Sequence, residues 1–281
     1  MSSDVRVWVD GSLVGWDEPA VAALDHGVTV GDGAFETCKV VDGEVFAMTR
    51  HARRLDRTLA GLGLPAADHG LIEKGAAAVL GAGDPIAYAR LRYTVTGGAG
   101  PLGSDRDESP LTYIVTVGPQ PPAPPSAALA VVPWVRNERS AVAGLKTTSY
   151  AENVVALAHA KERGAIEAIF GNTRGELCEG TGSNVFVVRD GVVLTPPLDS
   201  GCLAGITREL TIEWTREAGL EVREESLPLS VLQDCDEVFI TSSTKDVLAI
   251  DRVDGRDLVP GPVTARVAEV FAALAAERMD P

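Results

Sequence analysis

Hydrophobic and polar positions alternate along the first part of the chain in a way that predicts strands joined by tight turns. The alternation over Val5–Val9 stops at Asp10-Gly11 and then resumes, which is typical of a β-hairpin. A second hairpin is predicted around Asp42-Gly43. Thr49 then precedes a helical pattern that extends to about Leu62, and Thr49 is expected to cap this helix. This part of the chain therefore mixes strands with helices.

A proline-rich segment separates this part from the rest of the chain. Five prolines fall within residues 119–125, and such a segment is stiff and extended. The pattern behind it predicts further strands and helices, the last helix over Val263–Met279. We therefore predict an α+β protein with an N-terminal α/β domain over residues 1–118, the linker, and a larger C-terminal domain over residues 126–281.

Composition narrows the classes of partner. A net charge of −15 argues against nucleic acid or an anionic membrane. No apolar run is long enough to span a bilayer, and the N-terminus lacks the layout of a signal peptide. The four cysteines form no C-x-x-C pair, so a reducing cytoplasm is the expected location. The four histidines show no metal-ligand spacing, and no metal is expected.

The chain has five lysines and twenty arginines, so chemistry that needs a primary amine has few candidates. Lys146 directly precedes a helix predicted from Ser149 to Arg163. The positive end of the helix dipole, together with burial, would disfavour the ammonium and favour the neutral amine that attacks an aldehyde. The alternative is a loop lysine whose charged end lies in solvent, and the local pattern does not separate the two.

Glu179 opens the glycine-rich stretch Glu179-Gly180-Thr181-Gly182-Ser183-Asn184 between two predicted strands. Such a loop lets the backbone approach a flat ligand, and a carboxylate there would keep a pyridine nitrogen protonated. The alternative, an irregular turn with its acid facing water, is the better reading of this stretch alone.

Two further segments suit a phosphate. Gly205-Ile206-Thr207 opens a predicted helix, whose N–H groups attract anions, and Thr241-Ser242-Ser243-Thr244 ends a predicted strand with hydroxyl groups. Ordinary capping of the helix by Thr207 explains the first segment equally well.

Three arginines are candidates for binding anions. Arg54 lies in a helix with other arginines, most of which are expected in solvent. Arg90 and Arg92 point to one face of a strand. Two like charges on a buried face require anions, which makes both candidates for a substrate carboxylate; an exposed face explains them equally well.

Six segments, taken in order, resemble the fold type IV pyridoxal-phosphate family. This family includes branched-chain and D-amino-acid aminotransferases and 4-amino-4-deoxychorismate lyase. The resemblance extends from Val7 to about Asp254. The matching segments are Gly31-Asp32-Gly33-Ala34-Phe35-Glu36-Thr37, His51-x-x-Arg54-Leu55, Lys146 to Asn153, Glu179-Gly180-x-x-Ser183-Asn184-Val185-Phe186, Gly205-Ile206-Thr207-Arg208, and Ser242-Ser243-Thr244.

The resemblance implies a two-domain fold whose larger domain has a β-barrel-like core, and pyridoxal 5'-phosphate as cofactor. Lys146 would hold the cofactor as a Schiff base and transfer the proton, Glu179 would face the pyridine nitrogen, and Tyr150 the ring oxygen. Phe35, Arg90 and Arg92 would contact the substrate. The residues implied to hold the phosphate are Arg54, Ile206, Thr207, Ser243 and Thr244.

The activity implied is a transaminase that moves an amino group from an amino acid, first of all a D-amino acid or related amine, to a 2-oxo acid. The lyase, which makes 4-aminobenzoate and pyruvate, is the alternative. Phe35 stands where D-specific relatives usually have tyrosine, and Gly97–Gly103 lacks their Arg-x-His carboxylate trap. A homodimer is implied by the resemblance alone. A third reading is an inactive scaffold, against which the joint presence of Lys146, Glu179 and Arg54 argues.

Overall fold

The computed structural model describes residues 4–281, which divide into two compact units. The first unit contains the described residues up to Pro121, with Leu145–Tyr150 and Met279–Pro281; the second contains Pro122–Gly144 and Ala151–Arg278. The sequence pattern assigned both short segments to the C-terminal domain. They pack in the first unit because their partners lie there, and these contacts join residues far apart in the chain.

The first unit is built on a six-stranded antiparallel sheet in the order β2-β1-β6-β5-β3-β4. Both predicted hairpins are confirmed, and Asp10 and Asp42 have positive φ in their turns. The strands are β1 Arg6–Val9, β2 Ser12–Val14, β3 Gly33–Val41, β4 Glu44–Val45, β5 Tyr88–Thr96 and β6 Thr112–Pro119.

Three helices belong to this unit: α1 His26–Thr29, α2 Met48–Leu62 and α3 His69–Gly81. Helix α2 packs on β3, and α3 packs on β1 and β6. The prediction that Thr49 caps α2 is wrong, because the helix begins one residue earlier. The carboxylate of Asp280 instead accepts hydrogen bonds from the Thr49 N–H and hydroxyl, at 2.9 and 2.5 Å.

Strand β3 has different chemistry on its two faces, because side chains alternate along a strand. Ala34, Cys38 and Val40 belong to the hydrophobic core with α2 and α3. Phe35 points to the opposite face, where its neighbour across β5 is Thr94. One face of β3 thus builds the core, and the other is available to build a site.

The second unit is built on a nine-stranded mixed sheet that curls into a half-barrel. Its order is β12-β11-β10-β13-β14-β7-β8-β9, with β15 paired to β14, and β7 is parallel to both of its neighbours. The strands are β7 Ser126–Arg136, β8 Glu167–Asn172, β9 Leu177–Gly180, β10 Asn184–Arg189, β11 Val192–Thr195, β12 Val222–Glu224, β13 Glu237–Ser242, β14 Asp246–Val253 and β15 Arg256–Asp257.

The helices of this unit are α4 Ala151–Glu162, α5 Ile206–Glu217 and α6 Pro262–Glu277. Strand β10 is apolar on both faces because both are covered. Val185 and Val187 belong to one core, whereas Phe186 and Val188 belong to a second core that includes residues of α5 and α6. The predicted α+β fold with a β-barrel-like core is confirmed. No helix formed by residues 4–281 combines the length and apolarity needed to cross a bilayer.

Candidate active site

The segment that carries Lys146 is paired to the start of β3. The Phe35 N–H donates to the Lys146 carbonyl at 3.1 Å, and the Thr148 N–H donates to the Gly33 carbonyl at 2.8 Å. The Lys146 N–H donates to the Thr58 hydroxyl of α2 at 3.3 Å. Backbone hydrogen bonds on both sides therefore fix the position of Lys146 within the first unit.

The glycines of Gly31-Asp32-Gly33 make this pairing possible. Gly31 has φ of +70°, and a Cβ there would lie 2.6 Å from the Ser149 hydroxyl. A Cβ at Gly33 would lie 2.8 Å from the Val95 carbonyl oxygen. The motif thus allows the lysine segment to approach the sheet closely, since only glycine accepts both conditions without strain.

The expected effect of the helix dipole on Lys146 is wrong. Helix α4 begins only at Ala151, and the dipole acts within the first turn of a helix. The Lys146 amine instead lies 4.3 Å from the centroid of the Phe35 ring and 5.9 Å from that of Tyr150. The Tyr150 ring meets Phe35 edge-on, with centroids 5.1 Å apart. The structure thus brings together three predicted site residues.

Arg92 lies against the same ring, and Arg90 does not. The Arg92 guanidinium carbon is 3.6 Å from the Phe35 centroid, and Arg92 forms no ion pair with any residue of 4–281. Burial lowers the pKa of Arg92. Arg90 is on the same strand face but is exposed. A half-buried cation without a carboxylate partner is suited to bind an anion.

A buried ionic cluster lies on the core face of β3, opposite to the face that carries Phe35. Arg54 of α2 donates to Glu36 through Nε at 2.8 Å and Nη2 at 2.6 Å, and Nδ1 of His51 lies 2.7 Å from the same carboxylate. Burial alone would raise the pKa of Glu36, but Arg54 and His51 outweigh it and hold this pKa well below its usual range. The Arg54 orientation is thereby fixed. Its role in binding phosphate stays a prediction.

His51 is the neutral member of this cluster. Burial is the main cause that lowers the pKa of His51, and the positive charges of Arg54 and Lys146 act in the same direction. The negative charge of Glu36 opposes this shift without reversing it. Because an ionised Glu36 only accepts hydrogen bonds, the His51 proton must be on Nδ1.

In the second unit, Glu179 has partners for both carboxylate oxygens. The Leu203 N–H donates to Oε2 at 2.9 Å, and Nε of Arg136 lies 3.3 Å from Oε1. The Glu179 side chain is 14% exposed. The alternative of an acid that faces water is therefore wrong.

The loop after Glu179 is tied to a buried carboxylate, that of Glu167 on β8. Glu167 accepts hydrogen bonds from the Thr181 N–H at 3.0 Å, from the Thr181 hydroxyl, and from the Ser183 hydroxyl at 3.2 Å. Asn153 of α4 donates to the Thr181 carbonyl at 2.8 Å. The stretch is small and glycine-rich, yet these contacts make it a fixed loop.

Three segments meet at Asn184, the last residue of this stretch. Asn184 donates to the Leu203 carbonyl at 2.8 Å and pairs with Thr241 on β13. A Cβ at Gly205 would lie only 2.0 Å from the Asn184 side-chain oxygen. The Glu179 loop, the start of α5 and the end of β13 are therefore adjacent.

The start of α5 has the features of a phosphate site. Its N-cap is Gly205, which has no side chain to cap the helix, so capping by Thr207 is wrong. Helix α5 packs on β13 and β14, and Ser243 and Thr244 form the turn between these strands. Within residues 4–281, the buried Ser242 hydroxyl has no hydrogen-bond partner. Uncapped N–H groups and an unsatisfied hydroxyl fit a phosphate group.

Several buried or part-buried polar residues of these sites have no predicted role. Glu36 and Asn184 lie within the matched segments, but Arg136 and Glu167 do not. A charged residue within an apolar strand is the sequence signal that could have identified them. Charged residues are rarely buried without a partner, so such a position indicates an ion pair or a hydrogen-bonded site. No group of three or more histidine, cysteine or acidic residues among residues 4–281 is arranged to hold a metal ion.

The family model for class IV aminotransferases matches residues 33–253. A putative branched-chain-amino-acid aminotransferase of Methanocaldococcus jannaschii is 31% identical over 276 residues, which cover 95% of each chain. A D-alanine aminotransferase of Listeria monocytogenes is 30% identical over 296 residues, again 95% of each.

Solved structures agree with these matches. The branched-chain aminotransferase of Thermoproteus uzoniensis has a TM-score of 0.90 and 29% identity, and covers 97% of this chain and 95% of its own. A hypothetical aminotransferase of Mycobacterium tuberculosis in its PLP-bound form has a TM-score of 0.85 and 26% identity, over 97% of this chain and 100% of its own. The chain therefore belongs to the class IV aminotransferases, whose cofactor is pyridoxal phosphate.

Proposed function

We propose that this aminotransferase moves an amino group from a D-amino acid to a 2-oxo acid, and that Arg92 binds the carboxylate of each. The observation that carries the proposal is the position of Arg92, half-buried and without an ion pair among the described residues, on the ring that also contacts the Lys146 amine. A carboxylate bound to Arg92 would lie beside the Lys146 amine, which is proposed to move the substrate proton. The similarity to D-alanine aminotransferases supports the D-configuration.

Lys146 is proposed as the residue that holds the cofactor covalently and then moves the substrate proton. Lys146 and Arg92 both contact the Phe35 ring, so the amine lies beside the proposed binding position of the substrate carboxylate. The neutral amine is the form that attacks an aldehyde and accepts a proton. When it is bound, pyridoxal phosphate supplies an electron sink for the pair released at the substrate carbon.

The other proposed roles are binding and orientation. Glu179, held by Leu203 and Arg136, would face the ring nitrogen, and Tyr150 the ring oxygen. The uncapped start of α5 at Ile206 and Thr207 would bind the phosphate with Ser243, Thr244 and Arg54. Phe35 is buried and contacts both Lys146 and Arg92. It would exclude water from the Lys146 amine. A homodimer and a cytoplasmic location remain predictions from the resemblance and the composition.

A branched-chain amino acid is the second candidate donor. The similarity to the archaeal branched-chain enzymes supports it. The experiment is a donor panel of D-amino acids, branched L-amino acids and (R)-amines, each with pyruvate and with 2-oxoglutarate, followed by chromatography of the products.

Transfer from a D-amino acid with both acceptors is the expected result. Transfer from branched L-amino acids alone would replace the first candidate with the second. An enzyme that needs no acceptor and releases 4-aminobenzoate from aminodeoxychorismate would contradict both.

A further inference from the structure

Arg136, the last residue of β7, contacts the carboxylate of Glu179 and two residues of α4. Its Nη1 donates to Glu152 and its Nη2 to the side-chain oxygen of Asn153. Its Nε lies 3.3 Å from Oε1 of Glu179. The guanidinium group also packs on an aromatic ring, since its carbon lies 4.1 Å from the Phe170 ring centroid.

The contact with Glu179 is electrostatic. Nε is close enough to Oε1 for an ion pair, but it makes no aligned hydrogen bond to any residue of 4–281. The side chains of Arg136 and Glu179 are 16% and 14% exposed, so solvent screens the pair only partly. The Leu203 N–H donates to the other oxygen of Glu179. Both contacts favour the ionised carboxylate.

An ionised Glu179 has a definite consequence for a proton shared with a ring nitrogen. A cation that touches a carboxylate reduces the affinity of that carboxylate for a proton. A proton between this carboxylate and a pyridine nitrogen is therefore displaced toward the nitrogen. Without the cation, a partly buried carboxylate takes up the proton more readily, and the ring becomes neutral.

We infer that Arg136 is a positioning residue that keeps Glu179 ionised and oriented, so that the shared proton resides on the ring nitrogen of pyridoxal phosphate. This inference rests on the proposed role of Glu179 in the function above. The same arginine supports the loop after Glu179, because its partner Asn153 holds the Thr181 carbonyl. A purely structural role would explain those contacts without any effect on the ring proton.

Nitrogen-15 NMR of the holoenzyme, loaded with cofactor labelled at the ring nitrogen, separates the two roles. The wild-type resonance should lie at the position of a protonated ring. In Arg136→Gln it should shift toward the position found in Glu179→Gln, where the carboxylate is absent. Arg136→Lys, which keeps the charge, should stay near wild type. Arg139→Gln, which removes an exposed arginine three residues away, should match wild type.

A ring that stays protonated in Arg136→Gln, while Glu179→Gln loses the proton, would overturn the inference and leave the proposed function intact. A neutral ring in the wild-type enzyme, or no effect of Glu179→Gln, would instead contradict the proposed role of Glu179. If Arg136→Gln does not fold, Arg136→Leu keeps the apolar contact with Phe170 and is judged by the same shift.

Discussion

The two units hold their functional groups by different physical means. In the first unit the candidate site residues include cations on the sheet and on helix α2. The orientation of one of them, Arg54, depends on a buried ion pair with Glu36. In the second unit the loop after Glu179 is held by hydrogen bonds from several neutral donors to Glu167. Loss of the Glu36 charge should therefore be more costly than loss of the Glu167 charge, whose one cationic partner among residues 4–281 is Lys245 at 3.5 Å.

The largest expected effect tests whether the chemistry depends on one residue of the first unit. Lys146→Ala should lower kcat by about 10⁴-fold or more, because the nucleophile and the proton carrier are lost together. Lys161→Ala, at an exposed position of α4, is the matched control and should keep full activity. Borohydride reduction followed by peptide mass spectrometry should place the cofactor on Lys146; labelling of another lysine would exclude the proposed site.

The comparison between the units is tested by removing one buried carboxylate from each. Glu36→Gln should reduce the free energy of unfolding by about 3–5 kcal/mol, because it leaves the Arg54 charge buried without a counterion. Glu167→Gln should cost about 1–3 kcal/mol, since most of its partners are neutral donors. Urea denaturation measures both. Equal losses for the two variants would show that the units do not differ in this respect.

The two arginines of β5 offer a sharper test within the first unit. Arg92→Gln should lower kcat/KM for amino acids by about 10–100-fold, in line with the loss of a charged hydrogen bond. The same variant should leave amines without a carboxylate almost unaffected. Arg90→Gln is the control on the same strand face. A larger loss in Arg90→Gln than in Arg92→Gln would reverse the assignment.

The smallest expected effect is a pH dependence that originates at His51. Its pKa is lowered in the folded protein, mainly by burial, whereas an unfolded histidine takes up a proton below about pH 6.5. Stability should therefore fall as the pH is lowered through that value, by at most about 1.4 kcal/mol per pH unit for one proton. The low pKa of Glu36 adds a loss in the same direction below the usual carboxyl range.

His51→Gln should remove the upper part of this slope in urea denaturation measured from about pH 7.5 to about pH 5.5, roughly one unit either side of the ordinary histidine pKa. An unchanged slope in His51→Gln would show that the acid sensitivity arises elsewhere.

Local patterns predicted the parts of this protein that are determined locally. The Asp-Gly turns at Asp10 and Asp42 and the helix that ends near Leu62 follow from turn chemistry and periodicity. The start of that helix did not, because its cap is the carboxylate of Asp280, at the far end of the chain. Long-range partners of this kind leave no local pattern.

The candidate site likewise combines features that local sequence predicts with features that depend on long-range contacts. Motifs in register identified Lys146 and Glu179 as candidates, but they revealed neither the pairing of the lysine segment with β3 nor the arginine beside Glu179. Both depend on contacts between residues far apart in the chain, such as Arg136 with Glu179. A residue's position in a motif indicates its chemistry, whereas the surrounding charges that tune this chemistry become visible only when the chain is folded.

The short segment Leu145–Tyr150 has a consequence for exchanging parts between related enzymes. Its backbone hydrogen bonds are made with Gly33 and Phe35, although it follows the proline-rich linker in the chain. A gene fusion joined within the linker would combine Lys146, the proposed cofactor-binding residue, from one parent with its docking strand β3 from the other. A crossover placed after Tyr150 keeps both from one parent, so functional chimeras should be found preferentially with that junction.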